Sequence, residues 1–284
     1  MQTLIGKQFK LFASPWSAPA WMKVNQNLEH GGTLIGPVNG PYYETWTNYF
    51  IKYIEAYAQQ NVSHWGLTMQ NEPMVKQPWQ SMDWNSTMER DYAKGLWGST
   101  LRKNPLTSHL KLMVLDHDRQ YVPDYVDTSS LMGGVKTGQW GQGNYMLQKM
   151  MDALQNWVTG WVDWSICMST QGGPNWVGNM VDSAILVSTV ADEFEKQPIF
   201  YALGHVSKFL VENSTMIGIN KAGLNSSIHL DSIAGVTPAG DVVIIINNSD
   251  VNANYSVTIT NKRGENLNLV LEARSFTTIV YKDV

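Results

Sequence analysis

The sequence predicts a parallel α/β domain followed by a smaller all-β module. Short apolar runs alternate with amphipathic helical patterns through the first 212 residues, and this alternation is typical of a parallel sheet covered by helices. Beyond that point, β-branched runs are separated by turns rich in Asn, Asp and Gly, the pattern of a small β-sandwich. We therefore assign residues 1–212 to the α/β domain and residues 213–284 to the sandwich.

The α/β domain has too few strands for a closed barrel. Each predicted strand ends in polar residues, and the four are Lys10–Ser14, Trp65–Met69, Lys111–Asp116 and Trp161–Ser165. A complete (β/α)8 barrel needs eight strand–helix units over about 250 residues. The segment Asp127–Trp140 has neither a strand nor a helix pattern, so we expect a gap there and further missing units before Met1. The predicted fold is an incomplete (β/α)8 TIM barrel with a C-terminal β-sandwich.

Three helices are predicted between these strands, because apolar residues recur at intervals of three and four. The first follows Gly40-Pro41 and carries Trp46, Tyr49, Phe50, Tyr53, Ile54 and Tyr57. The second starts with a capping box at Ser86–Glu89 and continues through Leu101. The third carries Leu147, Met150, Met151, Leu154 and Val158, and we interpret its methionines as core residues. The sandwich strands are predicted at Asp241–Asn247, Tyr255–Thr260, Leu267–Leu271 and Phe276–Tyr281.

Composition excludes several classes of function. The net charge is −4 with scattered Lys and Arg, so there is no basic stripe for nucleic acid, and no apolar run is long enough to cross a membrane. Cys167 is the only cysteine and cannot form an internal disulfide. The chain has neither a Cys/His metal spacing nor a Gly-rich phosphate loop. We therefore predict no cofactor and no metal.

Six Asn-x-Ser/Thr sequons point to the secretory route. They lie at Asn61, Asn85, Asn213, Asn225, Asn247 and Asn254, and occupied sequons occur in lumenal and secreted proteins. The alternative is that Asn and Ser are simply common in this chain. The segment Met1–Lys7 lacks the charged start and apolar stretch of a signal peptide, so a secreted protein is expected to begin upstream of it.

One strand end carries a candidate catalytic carboxylate. The run Gln70–Pro73 closes the second predicted strand, which places Glu72 where barrel enzymes keep their catalytic residues. Glycoside hydrolysis by two carboxylates needs a second Asp or Glu across the scissile bond, and no other strand end presents an obvious one. The 12 Trp and 12 Tyr residues suit stacking on sugar rings as well as core packing, and most of them are expected in the core.

Six motifs in one order carry a family resemblance. They are Leu11–Lys23, Thr68–Pro73, Val114–Arg119, Gly160–Trp164, Gly172–Val177 and Lys196–His205. Together they resemble the lysosomal glucosylceramidase (acid β-glucosidase) family over nearly the whole chain. The resemblance implies cleavage of the glucose–ceramide β-bond, or that of another β-glucoside, with retention of configuration, in the lysosome and in sphingolipid catabolism. It also admits a lipid-presenting activator protein as a partner and peripheral contact with a membrane.

The resemblance assigns roles to four residues. Glu72 falls on the family's general acid/base, and such an acid must start protonated, which a partly buried or negatively charged setting favours. Asn71 falls on the residue that contacts the sugar 2-hydroxyl, and Trp16 and Trp176 fall on aromatic walls of the glucose pocket. The alternatives are a solvated loop carboxylate for Glu72 and core positions for the two tryptophans.

Other polar residues near the motifs are interpreted as structural. Asp116, Asp118 and Arg119 are expected to form an ion pair at a strand end. His117 and His205 are expected to be hydrogen-bonded structural histidines. Asp163 matches a supporting position of the family, and Ser165 stands where the family usually has Asn.

The chain departs from the family where the nucleophile belongs. The family's nucleophile is a Glu in a Ser/Thr-Glu-Ala motif, preceded by a His-Trp-Tyr segment, and neither motif occurs here. The resemblance implies that the family's first, second, sixth and seventh barrel strands are missing, together with an early sugar-binding Asp and the first sandwich strand. Two interpretations follow: a partial gene product or splice form of a working glycosidase, or an inactive barrel remnant that binds sugar, lipid or the complete enzyme.

Overall fold

Two units make up the fold, Met1–Val126 and Asp127–Val284. The computed structural model describes residues 9–114, 116–117, 134–156, 158–176, 178, 180–225 and 227–282. The predicted gap at Asp127–Trp140 lies largely outside the described residues, and residues 134–139 form neither a helix nor a strand. No helix in the described part of the chain is both long and apolar enough to cross a membrane.

The first unit alternates strands and helices around a parallel sheet. Its elements are β1 (Phe12–Ala13), α1 (Pro41–Gln59), β2 (Gly66–Thr68), α2 (Ser86–Lys94), α3 (Leu96–Lys103) and β3 (Lys111–Met113). The sheet order is β1-β2-β3 with both pairs parallel, and Leu67 in the central strand lies opposite Ala13 and Leu112. The three strands predicted here are confirmed, in shorter form. Parallel pairing brings the carboxyl ends of all three strands to one edge of the sheet.

Helix α1 buries a narrower stripe than the sequence predicts. Its buried apolar residues are Tyr43, Trp46, Phe50 and Ile54, which pack with Leu67 in one core. Tyr49 and Tyr57 were expected in that stripe, but they are 54% and 43% exposed. They lie on its flank, where Tyr49 stacks on Trp46 with ring centroids 5.0 Å apart.

The second predicted helix is two helices, and its cap is one residue earlier than expected. Asn85 is the N-cap of α2, and its side-chain oxygen accepts a hydrogen bond from the Met88 N–H at 2.9 Å. The predicted capping box at Ser86–Glu89 is therefore wrong, because Ser86 is already helical. Gly95 separates α2 from α3, and a Cβ at this position would lie 2.7 Å from the Asp91 carbonyl oxygen.

The second unit contains two helices and three sheets. Its elements are α4 (Trp140–Gln155), β4 (Cys167–Ser169), β5 (Ile185–Val187), β6 (Phe194–Lys196), α5 (Pro198–Ser207), β7 (Thr215–Ile217), β8 (Leu230–Val236), β9 (Asp241–Asn248), β10 (Tyr255–Thr260), β11 (Asn266–Leu271) and β12 (Ser275–Lys282). The sheets have the orders β4-β5-β6, β7-β8-β9-β12 and β10-β11. In the first of these sheets β4 and β5 are parallel, whereas β5 and β6 are antiparallel. The other two sheets are antiparallel throughout.

The central strand β9 shows how the sandwich packs. Val243 and Ile245 pack with residues of α4 and α5, whereas Val242, Ile244 and Ile246 pack with residues of β10 and β11. Successive side chains of a strand point to opposite faces, so a strand covered on both faces needs a continuous apolar run. The four predicted sandwich strands are confirmed, and the methionines of α4 lie in the core as predicted.

Two local predictions in the second unit are wrong, and several elements were not predicted. Trp161–Ser165 is not a strand, since the ladder begins at Cys167. Val158 lies beyond the end of α4. Strands β4, β5, β6, β7 and β8 and helix α5 were not predicted from the sequence.

Candidate active site

Three hydroxyl and carboxyl groups meet at the carboxyl ends of the parallel strands. Thr68 Oγ1, in the last residue of β2, donates to Ser14 Oγ at 2.7 Å. Ser14, directly after β1, in turn donates to Asp116 Oδ2 beyond β3 at 2.5 Å. This chain of hydrogen bonds links all three strand ends through side chains and fixes the edge from which the candidate catalytic loop extends.

The main chain holds Asn71 and Glu72 from both sides. The Asn71 N–H donates to the Pro15 carbonyl at 2.9 Å, and the Glu72 N–H donates to the Asp116 carbonyl at 2.8 Å. Asn71 also pairs with Asp116 as an isolated parallel bridge. Glu72 then leaves the strand direction with φ of +44°, a left-handed conformation uncommon for a residue with a side chain. The backbone therefore places Glu72 at the end of the central strand.

A side-chain amide contacts the Glu72 carboxylate. Gln77 Nε2 donates to Glu72 Oε2 at 3.1 Å, and both side chains are half-buried. Sequence reasoning did not single out Gln77, because the contact depends on how the loop after Glu72 folds. It also missed Ser14 and Thr68, although two hydroxyl residues at predicted strand ends could have been found by position alone.

The two candidate sugar-stacking tryptophans both reach the surface of their own units. Trp16 is 36% exposed, and its carbonyl accepts a hydrogen bond from Gln70 Nε2 at 2.7 Å. Gln70 is fully buried and also donates to the Asn71 carbonyl at 3.0 Å, so it ties the Trp16 segment to the Asn71 backbone. Trp176, in the second unit, is 77% exposed. Their roles as pocket walls remain predictions.

Asp116 is hydrogen-bonded to its neighbours at the strand end. Its carboxylate accepts from Ser14 and its carbonyl accepts from Glu72 N–H, while Asp118 and Arg119 lie outside the described residues. His117 is half-buried, and burial lowers its pKa to about 4. Directly after β1, β2 and β3, the described residues with carboxylates are Asp116 and Glu72.

Burial shifts the pKa values of Asp163 and His205, the two titratable residues of the second unit that the sequence analysis singled out. Burial raises the pKa of Asp163 to about 6, although a backbone hydrogen bond from Trp164 opposes the shift. Burial lowers the pKa of His205, whose Nδ1 lies 2.7 Å from Thr278 Oγ1. A half-buried carboxyl with a raised pKa, such as Asp163, is a functional candidate as well as a structural group.

Two family models match the chain over most of its length. The model described as glycosyl hydrolase family 30 TIM-barrel domain matches residues 2–132 and 128–210. The model described as glycosyl hydrolase family 30 beta sandwich domain matches residues 213–279. The barrel model thus matches in two segments that meet at residues 128–132.

Curated relatives include glucosylceramidases from animals. A putative glucosylceramidase 4 of Caenorhabditis elegans is 31% identical over 335 residues, covering 99% of this chain and 64% of the relative. The lysosomal acid glucosylceramidase of Mus musculus is 29% identical, covering 85% of this chain and 57% of the relative. An endo-1,6-beta-D-glucanase of Trichoderma harzianum is 24% identical over 88% of this chain. The chain spans less than two thirds of the length of the glucosylceramidases it matches.

Solved structures show the same architecture. SrfJ from Salmonella typhimurium has a TM-score of 0.80 at 20% identity, covering 97% of this chain and 69% of that chain. The endo-beta1,6-glucanase BT3312 has a TM-score of 0.77 at 18% identity. These similarities, the two family models and the partial parallel sheet agree on an incomplete TIM barrel with a β-sandwich. The chain therefore belongs to glycosyl hydrolase family 30.

Proposed function

We propose that this chain carries the acid/base half of a retaining β-glucosidase site, with Glu72 as the general acid/base. The observation that carries the proposal is the position of Glu72 at the carboxyl end of the central parallel strand. The Glu72 N–H bonds to the segment after β3, and the N–H of the adjacent Asn71 bonds to the segment after β1. Catalytic residues of barrel enzymes come from this edge of the sheet.

Each proposed residue has a defined task in that chemistry. Glu72 gives its proton to the glycosidic oxygen as the bond to the anomeric carbon breaks, and later takes a proton from water. Asn71 hydrogen-bonds the sugar 2-hydroxyl, an interaction that strengthens as the oxocarbenium-like state forms. Trp16 offers an indole face on which the apolar side of a glucose ring stacks, and the exposed indole of Trp176 in the second unit is proposed as a stacking surface of the same kind.

The proposed substrate is glucosylceramide or a related β-glucoside, acted on in the lysosomal lumen as part of sphingolipid catabolism. The nematode and mouse relatives support this choice. The competing substrate is a β-1,6-linked glucan, because two fungal relatives at 24% and 25% identity are endo-1,6-glucanases. The proposed division into a catalytic barrel at 1–212 and a sandwich at 213–284 is supported by where the two family models match.

A second candidate function is an inactive remnant that binds sugar or lipid without cleaving it. The alignment with the nematode relative covers 335 positions, more than the 284 residues of this chain. That relative therefore has residues inside the aligned region that this chain lacks, in agreement with a missing nucleophile segment. A genomic exon encoding His-Trp-Tyr and Thr-Glu-Ala between the codons for Asp127 and Trp140 would favour the working enzyme, and a continuous exon would favour the remnant.

The test supplies the missing nucleophile from solution. Azide added to the chain can attack the anomeric carbon of an aryl β-glucoside while Glu72 protonates the departing oxygen, and the product is an α-glucosyl azide. We expect azide-dependent turnover, and we expect Glu72→Gln to slow it at least 100-fold for a poor leaving group. A dinitrophenyl leaving group needs little protonation and should be affected far less.

The outcomes of this test separate the candidates. Equal losses on both substrates would contradict the acid/base assignment of Glu72. No azide-dependent turnover of either substrate by the unmodified chain would favour the remnant. Parallel assays with a β-1,6-linked glucose disaccharide and with glucosylceramide in detergent distinguish the two substrate classes.

A further inference from the structure

We propose that Gln77 is the positioning residue of the acid/base, holding the Glu72 carboxylate through a turn that the buried Lys23 anchors. The inference rests on the proposed role of Glu72 and adds the device that orients it. Four contacts within the first unit support the inference. Each contact includes a residue outside the motif Thr68–Pro73, which suggested the catalytic role of Glu72.

The first contact is the hydrogen bond from Gln77 to Glu72. The amide nitrogen lies 3.1 Å from Glu72 Oε2, and a neutral amide donates to a carboxyl oxygen whether the acid is ionised or protonated. Glu72 therefore keeps one orientation while its proton leaves for the glycosidic oxygen and returns. Because Glu72 already has φ of +44°, its side chain begins from an unusual backbone direction, and a fixed partner selects the rotamer that reaches the site.

The second contact fixes the backbone of Gln77. Its N–H donates to Ser81 Oγ at 3.2 Å, and its carbonyl accepts from the His30 N–H at 3.0 Å. Ser81 Oγ also accepts from the Gly31 N–H at 2.9 Å and lies 3.3 Å from the Gln77 carbonyl. A hydroxyl has one proton and two acceptor positions, so these contacts saturate Ser81 and hold the turn in one conformation.

The third contact is a buried ammonium beneath that turn. Lys23 is fully buried, and its Nζ donates to the carbonyl of Ser81 at 2.6 Å and to the carbonyl of Leu28 at 3.2 Å. Burial lowers the pKa of Lys23, while the charge of Asp83 opposes the shift. A buried ammonium without partners is costly, so Lys23 ties the loop after β1 to the loop after β2.

The fourth contact shows that the two loops approach closely. Gly31 has φ of +70°, and a Cβ there would lie 2.3 Å from Asp83 Oδ1. The next residue, Gly32, donates its N–H to Asp83 Oδ2 at 2.9 Å. The segment of His30 to Gly32 can therefore reach the Gln77 turn only because it carries glycine at this point. The whole arrangement joins Lys23, Ser81 and Gln77 to the candidate acid/base.

The experiment reads the Glu72 carboxyl directly. The chain is labelled with carbon-13 at the glutamate side-chain carboxyl, and the NMR shift of each signal is followed as the pH changes. The Glu72 signal is identified because it is missing from the spectrum of Glu72→Gln. Gln77→Met keeps the length of the side chain and removes the donor, so we expect the Glu72 titration midpoint to rise by about half to one pH unit. Gln80→Met is the matched control in the same loop, and it should leave the midpoint unchanged.

A second variant keeps the test usable if Gln77→Met does not fold. Gln77→Glu keeps the shape of the side chain and places a second carboxyl group beside Glu72, so the Glu72 midpoint should rise by more than one unit, since like charges disfavour ionisation. A midpoint unchanged in both Gln77 variants would overturn the inference. A shift in Gln80→Met as large as in Gln77→Met would also overturn it, because the effect would then belong to the loop in general.

Azide-dependent turnover separates this inference from the proposed function. We expect Gln77→Met to lower kcat about tenfold for a poor leaving group with little change in KM, and to move the alkaline limb of the pH–rate profile to higher pH. Absence of turnover in the unmodified chain would contradict the proposed function, whereas unchanged kcat and pH profile in an active Gln77→Met would contradict the positioning role alone.

Discussion

At the scale of single residues, His117 couples stability to pH. Its folded-state pKa is about 4, against 6.5 for an unhindered histidine, because burial disfavours the imidazolium. The unfolded chain therefore binds more protons between these values, and stability falls as the pH falls through this window. From pH 7 to pH 5 we expect His117 to account for about 1–2 kcal/mol of lost stability.

Urea denaturation at both pH values tests this expectation. His117→Gln should lose less stability on acidification than the unmodified chain. Asp163→Asn is a useful contrast, because the Asp163 pKa is raised to about 6, so its contribution is present at low pH and is lost as the pH rises through 6. An identical pH dependence in His117→Gln and the unmodified chain would show that His117 carries no such coupling.

The exposure of each sequon asparagine determines whether that residue can carry a glycan. Asn247 is fully buried, and its Nδ2 donates to Asn144 Oδ1 at 2.8 Å, so a glycan at this sequon is incompatible with the fold. Asn61 and Asn213 lie exposed with φ of +59° and +66°. In a secreted full-length protein we expect glycans at Asn61, Asn213 and Asn254 and none at Asn247, as read by mass spectrometry after glycosidase treatment. A glycan at Asn247, or an unglycosylated full-length protein in the cytosol, would contradict the proposal of lumenal folding.

Among the helices and strands, the sequence predicted which elements exist better than it predicted where each element begins and ends. The strands β1, β2 and β3 were located because short apolar runs ended in polar residues. The cap of α2 was misplaced because Asn85 and Ser86 are both good N-cap residues, and only the backbone decides, with Asn85 extended at φ −106°. Trp161–Ser165 is a short, mostly apolar run with a polar end, like the other predicted strands. A strand also needs a ladder partner, and in the part of the chain that the structure describes this run has none.

The candidate site shows the same limit of sequence reasoning. Glu72 could be proposed from the sequence, because its motif closes a strand and position along a strand is local information. Gln77 could not be proposed, since its contact with Glu72 depends on a turn held by Lys23, which lies more than fifty residues earlier in the chain. Short-range patterns locate the catalytic candidate, and long-range contacts decide what orients it.

At the scale of the whole molecule, the described sheets are open. In the described residues of the first unit, β1 and β3 each pair only with β2, which leaves an edge of unpaired backbone groups on both sides. Closure of a barrel removes such edges, and an exposed edge pairs readily with other chains. Units that cover these two edges would therefore protect the sheet from pairing with other chains.

We predict that this chain, without an added nucleophile, hydrolyses no β-glucoside at a useful rate. Retention needs a carboxylate about 5–5.5 Å from the acid to attack the anomeric carbon, and the Ser/Thr-Glu-Ala motif expected to carry it does not occur in the sequence. Asp116 is the nearest substitute along the sheet, but its carboxylate is engaged by Ser14, and both Asp116 and Asp163 have a shorter side chain than the expected Glu. We expect neither aryl-glucoside turnover nor labelling by a mechanism-based epoxide that traps the nucleophile. Turnover that Glu72→Ala abolishes, together with one labelled carboxylate, would show that another residue of this chain serves as the nucleophile.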